Sequence, residues 1–152
     1  MKNKILFGML LLVILFCSVL FFHQVINDHK NGCTADTYII EKGHSYDMLL
    51  DVNLSHGENT GVISVEGSYR NKLIRRDVYF SYMRDDDDYI LKSTEVEIIE
   101  PINTITNSEL KNILPDFFIF PEKKLRYTIR KQANNGYLFF VGSRPVLYCS
   151  PK

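Results

Sequence analysis

The densest group of titratable side chains in this sequence is a run of four aspartates, Asp85–Asp88. Carboxylates are ligands that Ca²⁺ prefers, so the run could hold a calcium ion. A calcium loop of the EF-hand kind also needs spaced ligands, a central glycine and a terminal glutamate, which are missing here. The run therefore predicts a solvated hairpin tip and no metal site.

Other residues that could do chemistry are scattered. The histidines follow no zinc-ligand spacing; they are His23, His29, His44 and His56. The sequence contains no nucleophile elbow, no phosphate-binding loop and no His-Glu-x-x-His motif. Serine, histidine and aspartate all occur, and a triad of residues distant in sequence leaves no local signature. We predict that the protein is not an enzyme and binds no cofactor.

Two of the three cysteines are placed to form a disulfide. Cys33 and Cys149 lie near the two ends of the chain that follows an apolar amino-terminal stretch, whereas Cys17 lies inside that stretch. Disulfides persist in proteins that leave the reducing cytoplasm. We predict a Cys33–Cys149 bond, and two unpaired buried thiols are the alternative.

The apolar stretch, Ile5–Phe22, has eighteen residues and no charge. As a helix it spans about 27 Å, close to the hydrocarbon thickness of a bilayer. Lys2 and Lys4 precede it, and positive residues favour the cytoplasmic side. We predict a single-pass protein of the bacterial inner membrane with a cytoplasmic stub (1–4), a transmembrane anchor (5–26), a linker (27–32) and a periplasmic β-rich domain (33–152). A cleaved signal peptide is the alternative, although bulky residues near the end of the stretch disfavour cleavage.

The charge balance argues against nucleic-acid binding. The chain has eighteen basic and eighteen acidic residues. Lys2, Lys4, Lys30 and Asp28 precede residue 31, which leaves the predicted domain a net charge of −2 and no basic patch. Proteins that bind nucleic acids neutralise phosphates with clustered Lys and Arg. We therefore expect no direct contact with DNA or RNA.

Alternation of apolar and polar residues predicts a mainly β domain of the α+β class. The clearest example places Met48, Leu50 and Val52 on one face of a strand. Strands are predicted at Cys33–Glu41, Tyr46–Ser55, Val62–Arg70, Leu73–Arg84, Tyr89–Glu100, Leu125–Ala133, Tyr137–Val141 and Pro145–Cys149. Thr106 and Glu109 fit a capping box, which predicts one short helix before Pro115. We expect a curled antiparallel sheet or a partly closed barrel.

Aromatic residues are abundant, with nine Tyr, ten Phe and no Trp. In the predicted domain they either form the core of the sheet or line an apolar pocket or partner groove. A bulky apolar segment precedes Pro121, and the terminal hairpin follows it. Both places combine bulky apolar groups with the potential to form an exposed strand edge. We therefore take them as the candidate partner-binding site, with the residues Phe117, Phe118, Phe120, Tyr127 and Ile129.

Several features together resemble a known family. They are the single amino-terminal anchor, Cys33-Thr34-Ala35 just beyond it, Leu114-Pro115 followed by Phe117-Phe118, an Asn-Gly hairpin and a near-terminal cysteine. In these features, across nearly the whole chain, the sequence is similar to the FidL-like membrane proteins of enteric bacteria. The resemblance implies a partner, a membrane-spanning transcription regulator similar to ToxR, and a role like that of ToxS beside it. It further implies that, as in related pairs, the two periplasmic domains assemble a lipocalin-like barrel that can hold a bile-salt-type ligand, and it supplies no catalytic residues.

The leading hypothesis is an accessory sensor protein that pairs with the regulator's periplasmic domain and modulates it. A tethered periplasmic carrier of an apolar small molecule is the first alternative. A periplasmic hydrolase is the weakest of the three hypotheses. A partner recovered with the protein would favour the first hypothesis, and an empty apolar cavity in the monomer would favour the second.

Overall fold

The computed structural model describes residue 9 and residues 12–20, 32–41, 44–54, 59–99 and 105–152. The chain divides into two compact units, Met1–Asn31 and Gly32–Lys152. In the first unit, residues 12–20 are helical. The predicted stub, most of the predicted anchor and nearly all of the predicted linker lie outside the described residues. Among the residues that are described, no helix has the length and hydrophobicity that a membrane span requires.

The described residues of the second unit form eight strands, one short α-helix and one 3-10 helix. The strands are β1 (Gly32–Glu41), β2 (His44–Leu54), β3 (Thr60–Tyr69), β4 (Lys72–Asp85), β5 (Asp88–Ile98), β6 (Lys124–Lys131), β7 (Tyr137–Val141) and β8 (Arg144–Pro151). Helix α1 (Asn107–Leu110) and the 3-10 helix (Asp116–Phe118) lie between β5 and β6. All eight predicted strands are confirmed, and their ends differ from the prediction by at most two residues.

The strands form a closed antiparallel barrel in sequence order. Each strand pairs with the next one along the chain, and β8 pairs with β1 to complete the circle. The sequence left a curled sheet and a partly closed barrel as alternatives, and the structure selects the barrel. Local alternation could not decide this point, because the pairing that closes the sheet joins strands at opposite ends of the domain.

Alternate residues of each strand face the barrel interior. Register places Ala35, Leu50 and Val65 side by side on β1, β2 and β3, and each is at most 6% exposed. The same inward face continues on β4 through Val78 and Phe80. Burial of these side chains is the main favourable term that holds the sheets together.

Tight turns connect several strands, and residues in the left-handed conformation form them. Arg70 and Asn71, with φ of 51° and 64°, join β3 to β4 as the two central residues of a hairpin turn. Asp86 has φ of 55° between β4 and β5. The predicted hairpin tip at the aspartate run is confirmed, since Asp85 pairs with Asp88.

The segment between β5 and β6 fills part of the interior. The predicted capping box is confirmed, since Thr106 accepts from the Glu109 amide and Glu109 accepts from the Thr106 amide. Helix α1 ends earlier than predicted, at Leu110, and in the turn after it the amides of Asn112 and Ile113 bond to carbonyls three residues back, at Glu109 and Leu110. Buried apolar side chains hold the segment in place; they are Ile105, Leu110, Phe117, Phe118 and Ile119.

A disulfide links β1 to β8. Cys33 and Cys149 are bonded, with their Cα atoms 5.3 Å apart and a sequence separation of 116. Both side chains are buried in the core. The predicted pairing is confirmed, and the alternative of two free thiols is wrong.

The capping box makes the stability of α1 depend on pH. Lys72 donates two hydrogen bonds to Glu109, at 2.8 and 3.0 Å, and together with Thr106 they lower the pKa of Glu109 to about 2. A lowered carboxyl pKa stabilises the fold above the unfolded value, and the effect disappears as pH falls from about 4.5 to about 2. We expect Glu109→Gln to lower the urea midpoint at pH 7 and to have no effect near pH 2. Glu95→Gln, on the exposed part of β5, is the matched control.

Arg76 is the one buried charged side chain among the described residues, with 2% of its surface exposed. It points inward from β4, and its Nη2 donates to Asn107 Oδ1 at 2.7 Å, while Nη1 has no hydrogen-bond partner. Burial lowers the pKa of Arg76, because the charged form loses its hydration.

The burial of Arg76 predicts opposite effects for substitutions of Arg76 and of Asn107. Arg76→Met is expected to leave the free energy of unfolding unchanged or higher, because it removes a poorly compensated charge. Asn107→Ala is expected to lower it by about 1.5–3 kcal/mol, because the guanidinium then loses its hydrogen bond. Urea unfolding of both variants tests this, and a large loss of stability in Arg76→Met would contradict it.

Candidate partner interface

The barrel is closed along only part of the seam between β1 and β8. All ten residues of β1 pair with β2, whereas β8 pairs with β1 at two positions, Cys33 with Pro151 and Thr34 with Ser150. In the part of the chain that the structure describes, Asp36–Ile40 has no strand on the side facing away from β2. We call this five-residue stretch the open edge.

Two features near the start of β8 disfavour pairing with the far end of β1. Pro145 has no amide hydrogen and therefore cannot donate to a neighbouring strand. A register shift between Phe139 and Phe140 marks a β-bulge opposite the start of β8. Bulges bend a strand and increase its twist, so both features disfavour further pairing with β1.

Specific contacts hold β1 at both ends of the open edge. Before it, the Cys33–Cys149 disulfide ties β1 to β8, and Lys152 Nζ lies 2.5 Å from Asp51 Oδ1 on β2. After it, Tyr69 of β3 donates a hydrogen bond to Glu41 Oε2, which also lies 3.4 Å from Arg70 Nη2.

The hydrogen bond from Tyr69 to Glu41 raises the pKa of Tyr69, because ionisation would leave two negative charges in contact. The rings of Tyr46 and Tyr69 also lie 4.6 Å apart and join β2 to β3 beside this contact. The open edge is therefore a preformed strand with fixed ends.

Large apolar side chains project outward from the open edge. Tyr38 is 67% exposed and Ile40 is 79% exposed. Strand edges in soluble proteins usually carry charges, prolines or bulges that prevent pairing with other chains. Asp36 is the single charge on the outer face of the open edge, and the apolar Tyr38 and Ile40 beyond it leave an edge that can accept another strand.

An acidic groove lies beside the open edge on the outer face of β1, β2 and β3. Its volume is about 420 Å³, and its lining residues are Asp36, Thr37, Tyr38, Asp47, Met48, Leu49, Glu66 and Gly67. Glu66 pairs with Arg75 Nε at 3.1 Å, whereas Asp36 and Asp47 form no ion pair with any described residue. The groove therefore combines uncompensated negative charge with apolar surface.

The residues proposed from the sequence lie elsewhere. Phe117 and Phe118 are 1% and 5% exposed, and their rings are packed edge to face with centroids 5.1 Å apart. Phe117 also packs against Phe80 of β4, at 6.1 Å between centroids. Phe120 is half-buried beside this core. In this conformation Phe117 and Phe118 have almost no surface that a partner could contact.

The terminal hairpin is not an edge, contrary to the expectation that made it a candidate. β6 pairs with β5 on one side and with β7 on the other. Tyr127 and Ile129 face inward and are half-buried, and Tyr127 packs edge to face on Phe139 at 5.4 Å. Burial raises the pKa of Tyr127 to about 12. A partner-binding role for these residues stays a prediction, and the structure places the accessible edge on β1.

Sequence reasoning passed over the open edge for a specific reason. Tyr38, Ile39 and Ile40 are consecutive apolar residues, so both faces of the strand are apolar at its end. Such a run is also typical of a strand that is buried on both faces. The exposure of Tyr38 and Ile40 would have identified the edge, and it becomes apparent only when the pairing of β1 with β2 is known.

The arrangement offers backbone hydrogen bonds, an apolar surface and negative charge to a binding partner. Among the residues that the structure describes, no three His, Cys, Asp or Glu side chains are grouped so as to hold a metal ion. The open edge and the acidic groove have the geometry of a site for strand addition, in which main-chain hydrogen bonds supply affinity and side chains supply specificity.

Fold and site together define a small antiparallel barrel with a disulfide-stapled, incompletely paired seam. The model of the YqeJ C-terminal domain family matches residues 30–149, and the chain belongs to that family. It is 25% identical over 127 residues to a protein of Escherichia coli (strain K12) titled "Uncharacterized protein YqeJ", covering 80% of this chain and 79% of that protein. No solved structure matches. These comparisons give no specific support to the resemblance to FidL-like proteins.

Proposed function

We propose that this protein is an accessory sensor anchored in the bacterial inner membrane, whose periplasmic barrel pairs with a membrane-spanning transcription regulator and modulates it. The proposal follows the resemblance to FidL-like proteins, in which the partner is similar to ToxR and the role is like that of ToxS. The regulator would contact DNA, and this chain would not.

The open edge of β1 is the observation that carries this proposal. A fully paired barrel has no free strand edge, and this barrel keeps one over Asp36–Ile40 with Tyr38 and Ile40 exposed. Exposed strand edges with apolar side chains are sites where another polypeptide can pair. An accessory subunit needs such a site, whereas a self-contained carrier does not.

The disulfide supports the periplasmic location. Cys33 and Cys149 form their bond across the seam, and structural disulfides persist in oxidising compartments such as the periplasm. The apolar stretch Ile5–Phe22 supports the membrane anchor. We expect alkaline phosphatase fused after Lys152 to be active, and a cytoplasmic reporter fused there to be silent. The reverse result would contradict the proposed location.

Modulation follows from linkage between binding and conformation. A partner that binds only the folded barrel stabilises it, and the barrel equally stabilises the bound state of the partner. A ligand changes the output only if its affinity differs between the paired and unpaired states. A bile-salt-type or other apolar ligand would change the output by binding more tightly to the paired state or to the unpaired state.

The carrier alternative requires interior space for an apolar molecule. Phe80, Leu110 and Phe117 are each at most 2% exposed and occupy the described interior together with the strand residues around them. These side chains fill the part of the described interior around the 3-10 helix, so an apolar ligand would have to bind in another part of the barrel. This observation favours the accessory subunit over the carrier.

Co-purification tests the proposal. The tagged full chain is extracted from bacterial membranes in mild detergent after chemical cross-linking, and the proteins that accompany it are identified by mass spectrometry. We expect a membrane-spanning protein with a DNA-binding domain at near-stoichiometric amount. Failure to recover any such regulator with the wild-type chain, in cells that produce both, would overturn the proposed function.

A further inference from the structure

We propose that the open edge takes up one extended segment of the partner, which pairs with β1 as an additional strand and carries basic side chains among apolar ones. This inference rests on the proposed function, because it names the surface and the chemistry through which the partner binds.

The backbone of β1 sets the length of the partner segment. In an antiparallel pair, alternate residues direct their amide and carbonyl groups to opposite neighbours, so half of these groups in Asp36–Ile40 face away from β2. Five residues of strand extend about 17 Å. A partner segment of similar length can therefore form a short ladder without any change in the pairing of β1 with β2.

Outward side chains determine which segment fits. Tyr38 and Ile40 are exposed and adjacent on the outer face, so apolar residues of an added strand would pack against them. Asp36 shares that face, and Asp47 lies opposite Tyr38 on β2. Neither carboxylate forms an ion pair with a described residue, so Lys or Arg side chains of the partner would complement them.

A second copy of this chain fits the site less well. Two copies joined edge to edge would place the same surface on both sides of a two-fold interface. Asp36, Asp47 and Glu66 of the groove would then face the same acidic set of the other copy. Like charges in an interface lower affinity, so charge complementarity favours a basic partner.

The fixed ends of the edge favour binding as well. The Cys33–Cys149 bond and the contacts of Tyr69 and Arg70 with Glu41 hold β1 in place before the partner arrives. Binding to a preformed strand orders only the partner segment, which lowers the entropic cost of association.

Photo-cross-linking of the full chain in living bacteria tests the inference. A benzophenone amino acid replaces Tyr38 in one version of the chain and Tyr79 in another. Tyr79 is the matched control, because it is an outward tyrosine, 38% exposed, on a strand that pairs on both sides. We expect a cross-link from position 38 that maps to a segment of the regulator containing both basic and apolar residues, and none from position 79.

Charge and edge variants provide the second measurement. We expect Asp36→Lys and Ile40→Lys to weaken recovery of the regulator about tenfold or more, because they repel a basic strand and remove an apolar contact. Tyr79→Lys is the matched control and should recover the regulator as the wild type does. Secondary-structure spectra and the intact disulfide show that each variant is folded.

The outcomes separate this inference from the proposed function. If the wild type recovers the regulator while folded Asp36→Lys and Ile40→Lys variants recover it equally well, the proposed function stands and the edge inference fails. A cross-link from position 38 to a second copy of this chain, or to an acidic segment, also overturns the inference. If no regulator accompanies the wild type, the proposed function fails, and the inference fails with it.

Discussion

Replacing Cys33 and Cys149 together by alanine is expected to lower the free energy of unfolding by about 4–5 kcal/mol, because the bond closes a very long loop in the unfolded chain. The two residues are separated by 116 positions, and their sulfurs join β1 to β8 where only two residue pairs otherwise connect these strands. The loss is a large part of the stability of a typical domain, about 5–15 kcal/mol.

Urea unfolding of the full chain in detergent micelles, with and without a reducing agent, measures this effect. Cys17→Ala is the control, since Cys17 is the free cysteine among the described residues and lies in the other unit. We expect the reduced wild type and the double variant to unfold at similar urea concentrations. A double variant as stable as the oxidised wild type would show that the strand pairing alone holds the seam.

Replacing Phe117 by alanine is expected to lower the free energy of unfolding by about 3–5 kcal/mol, because it leaves a cavity between the 3-10 helix and the sheet. Phe117 is 1% exposed and contacts both Phe80 and Phe118. Phe140→Ala is the matched control, since Phe140 faces outward on β7 and is half-buried. We expect Phe140→Ala to lower the free energy of unfolding much less.

The Phe117 experiment also separates the two roles that the sequence left open for this residue. A residue of the core lowers the melting temperature when it is truncated, whether or not a partner is present. If Phe117→Ala leaves the melting temperature of the isolated domain unchanged, then Phe117 does not support the core in the way its burial indicates.

Much of this fold could be predicted because its signals are local. Alternating residues marked most strands and β-rich composition marked the others, and the Thr106–Glu109 capping box marked the helix. The aspartate run and Asn134-Asn135-Gly136 marked two hairpin turns, and Asn135 has φ of 64°. These features depend on neighbours within a few residues, which a sequence displays directly.

The features that could not be predicted depend on distant residues. The barrel closes between β1 and β8, and the extent of that pairing decides where an edge remains. Phe117 fills the interior because α1 and the 3-10 helix fold onto the sheet, and the sequence shows only that the residue is bulky and apolar. The alternation of apolar and polar residues likewise did not predict a hydrogen-bond partner for Arg76, which shares the inward face of β4 with Ile74 and Val78.

The proposed partner site changed for the same reason. The sequence favoured the terminal hairpin and the segment Phe117–Phe120, because both combine bulky apolar groups with the potential to form an exposed edge. In the barrel, β6 and β7 each have neighbours on both sides, and the incomplete pairing falls on the first strand of the domain. The pairing of strands that are distant in sequence therefore determines where a free edge remains.

The central claim is that Asp36–Ile40 is a preformed strand paired on one side only. Residue-resolved hydrogen exchange of the full chain in detergent micelles tests it most directly. An edge strand protects alternate amides, so we expect slow and fast exchange to alternate along Asp36–Ile40, whereas the amides of Arg75–Val78 in β4, which pairs on both sides, should all exchange slowly. Uniform protection along Asp36–Ile40 would show that the edge is already covered and would contradict the account.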